Sequence, residues 1–80
     1  MLQNEIIKLK EIYESILETP IDEKEFLKGN LIEKFNIDSL IALQIIVKIE
    51  KSFCIIIEDD EVAIKIVDSP FFFCEYISKG

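Results

Sequence analysis

Residues 35–53 read FNIDSLIALQIIVKIEKSF. Leu40, Ala42, Leu43, Ile46, Val47, Ile49 and Phe53 recur at spacings that return side chains to one side of an α-helix. This predicts a helix from about Ser39 to Phe53 with that set facing inward. Ile41 and Ile45 do not fit the same face. At about 100° per residue, Gln44, Lys48, Lys51 and Ser52 form a polar strip, and Ile41 falls on it. An isoleucine there is either a harmless exposed residue or part of a surface that touches something else.

Upstream, Asp38 or Ser39 can cap this helix, since either side-chain oxygen can accept a backbone N–H one turn on. Asn36 stands where the chain must turn, and Asn tolerates the left-handed conformation better than most residues. Leu31, Ile32 and Phe35 can pin the preceding connection to the core. Further back, TPIDEKEFLKG (residues 19–29) carries the marks of a short helix: Thr19 as cap, Pro20 at the first position, acids in the first turn and Gly29 past the end. The chain opens with an amphipathic helix whose apolar face is Leu2, Ile6, Leu9, Ile12, Tyr13, Ile16 and Leu17, with Glu5, Lys8, Lys10, Glu11, Glu14 and Glu18 on the other side.

Downstream, CIII (residues 54–57) is an apolar run too short to assign by periodicity, and no second run offers it a sheet partner. It reads as a buried connection. EDDEVAIKIV (58–67) starts a short helix with four acids, which complement the macrodipole. DSPFFFCEYISKG (68–80) opens a last helix with Asp68 or Ser69 as cap and Pro70 at the first position. Phe72 with Tyr76, and Phe73 with Ile77, can share faces, while three consecutive phenylalanines span too wide an arc for all to point inward. The expected fold is all-α: one domain over residues 1–80, a small four-helix bundle with three longer helices, a short third helix and a long loop between the first two.

The chain has 80 residues, half of them hydrophobic, with nine lysines, sixteen acids, no arginine, no histidine and a net charge of −7. That is enough apolar residue for one small core. A nucleic-acid role is not expected, because phosphate binding needs a basic surface. The charged N-terminal segment is neither a signal peptide nor a membrane span, so no membrane partner and a cytoplasmic location are expected. Cys54 and Cys74, without a histidine or a second cysteine pair, read as reduced core residues rather than metal ligands.

Catalytic equipment is sparse, so an enzyme is not expected. Glu58, Asp59, Asp60 and Glu61 are adjacent, point in different directions and lack the alternating ligands and glycine of a calcium loop. A solvated, dipole-matched turn explains them, and no metal is expected. Ser39 differs by its setting. At a helix N-terminus, free N–H groups and the dipole favour an attached phosphate. No base lies within sequence reach to make it a nucleophile. It is suited to receive a phosphoryl group from another enzyme. Taken alone, a capping serine is the favoured explanation, since Ser and Asp are the commonest caps.

IDSL at 37–40, followed by IALQIIVKIEKSF, resembles the acyl and peptidyl carrier protein superfamily. In that family an Asp-Ser-Leu motif opens the second helix. Leu31 and Phe35 stand where the family has apolar loop anchors, Phe53 where a phenylalanine closes helix two, and Tyr76 and Ile77 in the aromatic and aliphatic places of the last helix. The resemblance therefore covers nearly the whole chain. It implies that Ser39 carries a 4'-phosphopantetheine arm, that Asp38 helps a phosphopantetheinyl transferase and its magnesium engage, and that Leu40 packs near the base of the arm. It further implies a carrier that does no chemistry itself and tethers acyl, aminoacyl or peptidyl thioesters for partner enzymes.

Two departures refine this. Asn36 replaces the usual glycine three before the serine and accepts the same backbone geometry. On helix two, fatty-acid carriers show acids, whereas this chain has Ile41, Gln44, Val47, Lys48 and Lys51 as candidate docking residues, and the segment 38–51 sums to zero charge. That is closer to carriers of nonribosomal peptide or polyketide assembly, with an adenylating or acyl-loading enzyme and a synthase or condensation enzyme as partners. From its own Met1 to just past the last helix, the chain reads as a stand-alone, monomeric carrier. Two alternatives stand beside it: a fatty-acid-synthesis carrier, and a small helical interaction module without prosthetic group in which Ser39 is only a cap.

Overall fold

The computed structural model describes residues 3–79, with side chains described for 4–78. Leu2, assigned above to the first apolar face, lies outside the described residues. Six helices follow one another: α1 (Gln3–Leu17), α2 (Glu23–Leu27), α3 (Leu31–Lys34), α4 (Ser39–Phe53), α5 (Asp60–Asp68) and α6 (Pro70–Lys79). There is no strand among the described residues. The all-helical expectation holds, and the long connection between the first two long helices contains two short helical pieces rather than one.

α1 buries Leu9, Ile12 and Tyr13, half-buries Ile6, Ile16 and Leu17, and ends at Glu18 in the left-handed region. The next helix does not start at Thr19 and Pro20. Ile21 is pulled into the core, and its N–H donates to Glu14 Oε2 at 2.8 Å, which keeps residues 19–21 outside the helix. Asp22 becomes the cap of α2, accepting from the N–H of Glu25. The Ile21 N–H, with Lys10 second, holds the Glu14 carboxyl below its usual range. Glu50 repeats this device after α4: its Oε2 accepts from the N–H of Ile57 at 2.8 Å and secures the 54–59 connection. A third carboxylate, Asp68, accepts from the N–H of Ile32 at 3.1 Å and ties α3 to the end of α5. Ser69, not Asp68, therefore caps α6, accepting from the N–H of Phe72.

α4 has the expected bounds but not the expected phase. Ile45, Ile46 and Ile49 are buried, while Leu40, Leu43 and Val47 are exposed at 64, 58 and 40 %. The helix is apolar nearly all round, so its period alone cannot say which side is inward; contact with α1 and α5 decides it. Ile41, one turn before Ile45, is carried to the edge of the core and packs against it rather than lying on the exposed polar strip.

The core is one hydrophobic cluster drawing on all six helices and the connections between them. The Tyr13 ring meets Phe26 edge-on at 5.2 Å, and Phe53 meets Phe73 edge-on at 4.9 Å. Of the three phenylalanines, Phe73 is buried, Phe72 half-buried and Phe71 exposed. CIII is only partly buried: Ile57 is inside, whereas Ile56 is 73 % exposed. Cys54 is not a core residue either. It closes α4 in the left-handed conformation and is exposed, while Cys74 is buried. Burial, then the Glu5 charge, pushes the Cys74 thiol up, which lowers its thiolate fraction. Native protein treated with iodoacetamide is thus expected to alkylate at Cys54, with Cys74 labelled only after unfolding. Peptide mapping checks this, and equal labelling rates in the native state would refute it.

The Tyr13 hydroxyl donates to the backbone oxygen of Val67 at 2.6 Å, one of the carbonyls that α5 leaves unpaired at its C-terminus. Tyr13→Phe is expected to cost about 1–3 kcal/mol, because it strands a buried acceptor. Burial, with Asp68 nearby, also raises the Tyr13 pKa far above its ordinary value. The folded chain keeps the proton while an unfolded tyrosine loses it above about pH 10. The contribution is therefore complete below that pH and is lost as pH rises beyond it towards the folded value. Relative to Tyr13→Phe, the alkaline stability of the parent chain should fall more steeply, by up to about 1.4 kcal/mol per pH unit. Parallel alkaline slopes in urea melts would contradict this.

Candidate functional site

Asp38 is extended, with φ −87° and ψ −179°, and its Oδ1 accepts from the N–H of Ile41 at 2.9 Å. Its backbone oxygen accepts from Ala42, closing the first turn. The capping role that the sequence left open between Asp38 and Ser39 thus falls to Asp38. Ser39 is the first residue of α4, exposed, and its hydroxyl makes no hydrogen bond to any described residue. The Ser39 and Leu40 amides likewise have no acceptor among the described residues, so they and the dipole of a 15-residue helix face the surface where the hydroxyl stands. Leu40 is beside it, exposed.

From Ser39 a groove of about 580 Å³ runs between α4 and α5. Ile37, Ala42 and Ile46 line one side of it, and Ala63, Ile64 and Val67 the other. Asp38, Glu50 and Asp60 are the charged residues at its walls, and no cation lines it. On the opposite flank of α4 a second recess of about 450 Å³ is bounded by Ile16, Leu43, Gln44, Val47, Lys48 and Lys51. Leu43 and Val47 border both, and so form the ridge between them.

The structure therefore gathers four of the five candidate docking residues, Gln44, Val47, Lys48 and Lys51, on one flank of α4. Ile41 does not line that recess and packs partly against the core. Leu43 and Ile64 were missed as surface residues. Leu40, Leu43 and Val47 do form their own three- and four-residue stripe, but a helix with two apolar stripes does not say which is inward. The Asp59 carboxylate, part of the acidic turn, is engaged by the N–H groups of Glu61 and Val62, and among the described residues no three carboxylates or thiols converge.

Chemically, Ser39 is a primary hydroxyl to which no base is hydrogen-bonded among the described residues, although Asp38, Glu50 and Asp60 line the same groove. The chain has no histidine, and neither Lys48 nor Lys51 lines the groove that Ser39 opens. Among the described residues no helix is long and apolar enough to cross a membrane. No protein-family model, curated protein or solved structure matches this chain.

Proposed function

We propose that this protein is a carrier, with 4'-phosphopantetheine joined to Ser39 Oγ and acyl, aminoacyl or peptidyl groups held as thioesters for delivery to partner enzymes. The observation that carries this reading is the division of labour at the start of α4: Asp38 caps the helix, leaving Ser39 exposed and unpaired. A serine kept only as a cap would accept the hydrogen bond that Asp38 takes. The residues present fit the group. Two free amides and the helix dipole suit its phosphodiester, and Leu40 and the apolar walls beside Ser39 suit the neutral part of an arm. Bound, the arm would supply a thiol for thioester chemistry, and Ser39 would hold it at the groove between α4 and α5.

In this reading the six helices form the carrier bundle, with α4 as its second long helix. The partners are a phosphopantetheinyl transferase, an adenylating or acyl-loading enzyme, and a synthase or condensation enzyme. The lysines and the lack of acids on the exposed face of α4 support a specialised assembly pathway over fatty-acid synthesis. One observation favours the second reading, a carrier of fatty acyl chains: the groove that opens at Ser39 is apolar along α4 and α5.

Incubation with coenzyme A, magnesium and a broad-specificity phosphopantetheinyl transferase, followed by intact mass, is expected to add one phosphopantetheine. A mass that does not rise defeats the carrier reading. Exclusive acceptance of malonyl groups from a fatty-acid transacylase would move the holo protein to the second reading.

A further inference from the structure

The groove between α4 and α5 holds charge of one sign only. Asp38 stands at its Ser39 end, Glu50 roughly 16 Å further along α4 by the rise of the helix, and Asp60 on the α5 wall, with no lysine among the lining residues. Each keeps a carboxylate oxygen that no donor among the described residues takes. The Ile41 N–H engages Asp38 Oδ1 and the Ile57 N–H engages Glu50 Oε2, while the Asp60 carboxylate accepts nothing there. The ion pairs among the described residues use Glu14 and Glu25 instead. The remaining walls are apolar, and a volume of about 580 Å³ falls within the range of small-molecule sites. Such a cavity prefers a ligand with an apolar body and the opposite charge, because apolar walls keep water from screening the attraction fully.

We infer that the group carried at Ser39 is an acyl group with a free amine, charged at neutral pH, and that the groove selects against an acyl group ending in a carboxylate. The inference rests on the carrier reading and narrows its cargo. An ammonium group among Asp38, Glu50 and Asp60 meets only opposite charge, and a carboxylate there meets only like charge. A plain fatty acyl chain gains the apolar walls but leaves the three carboxylates to water. Tethering makes a weak preference count. A group held at Ser39 is presented to the groove at an effective concentration on the order of millimolar, so even millimolar affinity leaves the groove about half filled. A carboxylated group, repelled from the same walls, stays in solvent.

The test titrates isotope-labelled full-length protein, before any loading, with hexylammonium, hexanol and hexanoate. In parallel, Ser39 is loaded from the 6-aminohexanoyl, hexanoyl and 5-carboxypentanoyl thioesters of coenzyme A. Hexylammonium is expected to bind about fivefold more tightly than hexanol, with hexanoate weakest, and to shift the Ala42, Ala63 and Ile64 amides. The loaded amine is expected to shift the same amides and the loaded carboxylate none of them. The double variant Glu50→Gln/Asp60→Asn keeps an acceptor for the Ile57 N–H and is expected to erase the preference. Glu11→Gln/Glu33→Gln, an equal change of charge at exposed positions outside the groove, is expected to keep it. In the parent chain, about 1 M sodium chloride is expected to cut the preference to about twofold or less, which tests the charge without any substitution. Hexylammonium binding no better than hexanol, a preference that survives the groove variant or the salt, its loss in the outside variant, or no binding by any probe overturns the inference. A mass that does not rise on loading defeats the carrier reading and the cargo assignment with it. Lost amine selectivity in a protein that loads defeats the inference alone, so the two failures are read apart.

Discussion

Ser39→Ala is expected to abolish loading by the transferase completely while leaving the melting temperature almost unchanged, and Asp38→Ala to lower stability by about 1 kcal/mol. On the carrier reading the two neighbours divide the structural and chemical roles. The hydrogen bond from Ile41 and the closure of the first turn both end on Asp38, so its loss frees a helix terminus. The Ser39 hydroxyl has no partner among the described residues, and an exposed first-turn serine changed to alanine alters stability by about 0.5 kcal/mol or less. Intact mass after incubation with coenzyme A and thermal melts of the three proteins make the comparison. If Ser39→Ala destabilises as much as Asp38→Ala, the serine is structural after all. If Ser39→Ala protein gains the same mass, the attachment lies elsewhere.

How much of this was legible in the sequence differs by element. The bounds of α4 and of the last helix were readable because caps, Pro70 and periodicity agree there. The left-handed Asn36 and Gly29 were readable for the same local reason. The start of α2 was not, because Thr19-Pro20 and Asp22 offer competing caps, and a long-range demand, the burial of Ile21, chose between them. α3 was missed because Leu31–Lys34 is too short to show a period. Glu14 and Glu50 look like ordinary solvated acids in sequence, and Asp68 like a candidate cap of the last helix. Their work is to accept single backbone N–H groups from segments that only the folded chain brings near.

The candidate site was readable as a point and not as a surface. Ser39 is singled out by the resemblance of IDSL and the spacing around it, since its place at the head of a helix alone fits a cap. The face around it depends on the rotation of α4, and with isoleucine, leucine or valine on nearly every side that rotation is set by the partners α1 and α5. Ile45 moved inward, taking Ile41 to the core edge, and Leu43 and Val47 turned out. The acidic turn was correctly read as a helix start, with Asp59 as its specific cap.

The tract Phe71-Phe72-Phe73 allows the packing to be tested with one residue type. Phe73→Ala is expected to cost about 3–5 kcal/mol, because it removes a fully buried ring and the core can close only partly around the void. About 0.5–1.5 kcal/mol of that belongs to the edge-on pair with Phe53. The loss extends beyond α6: Phe53 closes α4, and Lys8 of α1 lies over its ring at 5.1 Å while donating to the Ser52 oxygen. Phe73 therefore helps hold α1, α4 and α6 together. A domain of this size has roughly 4–12 kcal/mol of stability in all, so the melting temperature should drop by roughly 15–30 °C. Phe71→Ala, two positions earlier and exposed, is expected to change stability by about 0.5 kcal/mol or less. Urea denaturation of both variants decides the matter. Equal losses would mean that α6 is rotated about its axis from the position that buries Phe73, and the contact between its N-terminal half and the end of α4 would have to be redrawn.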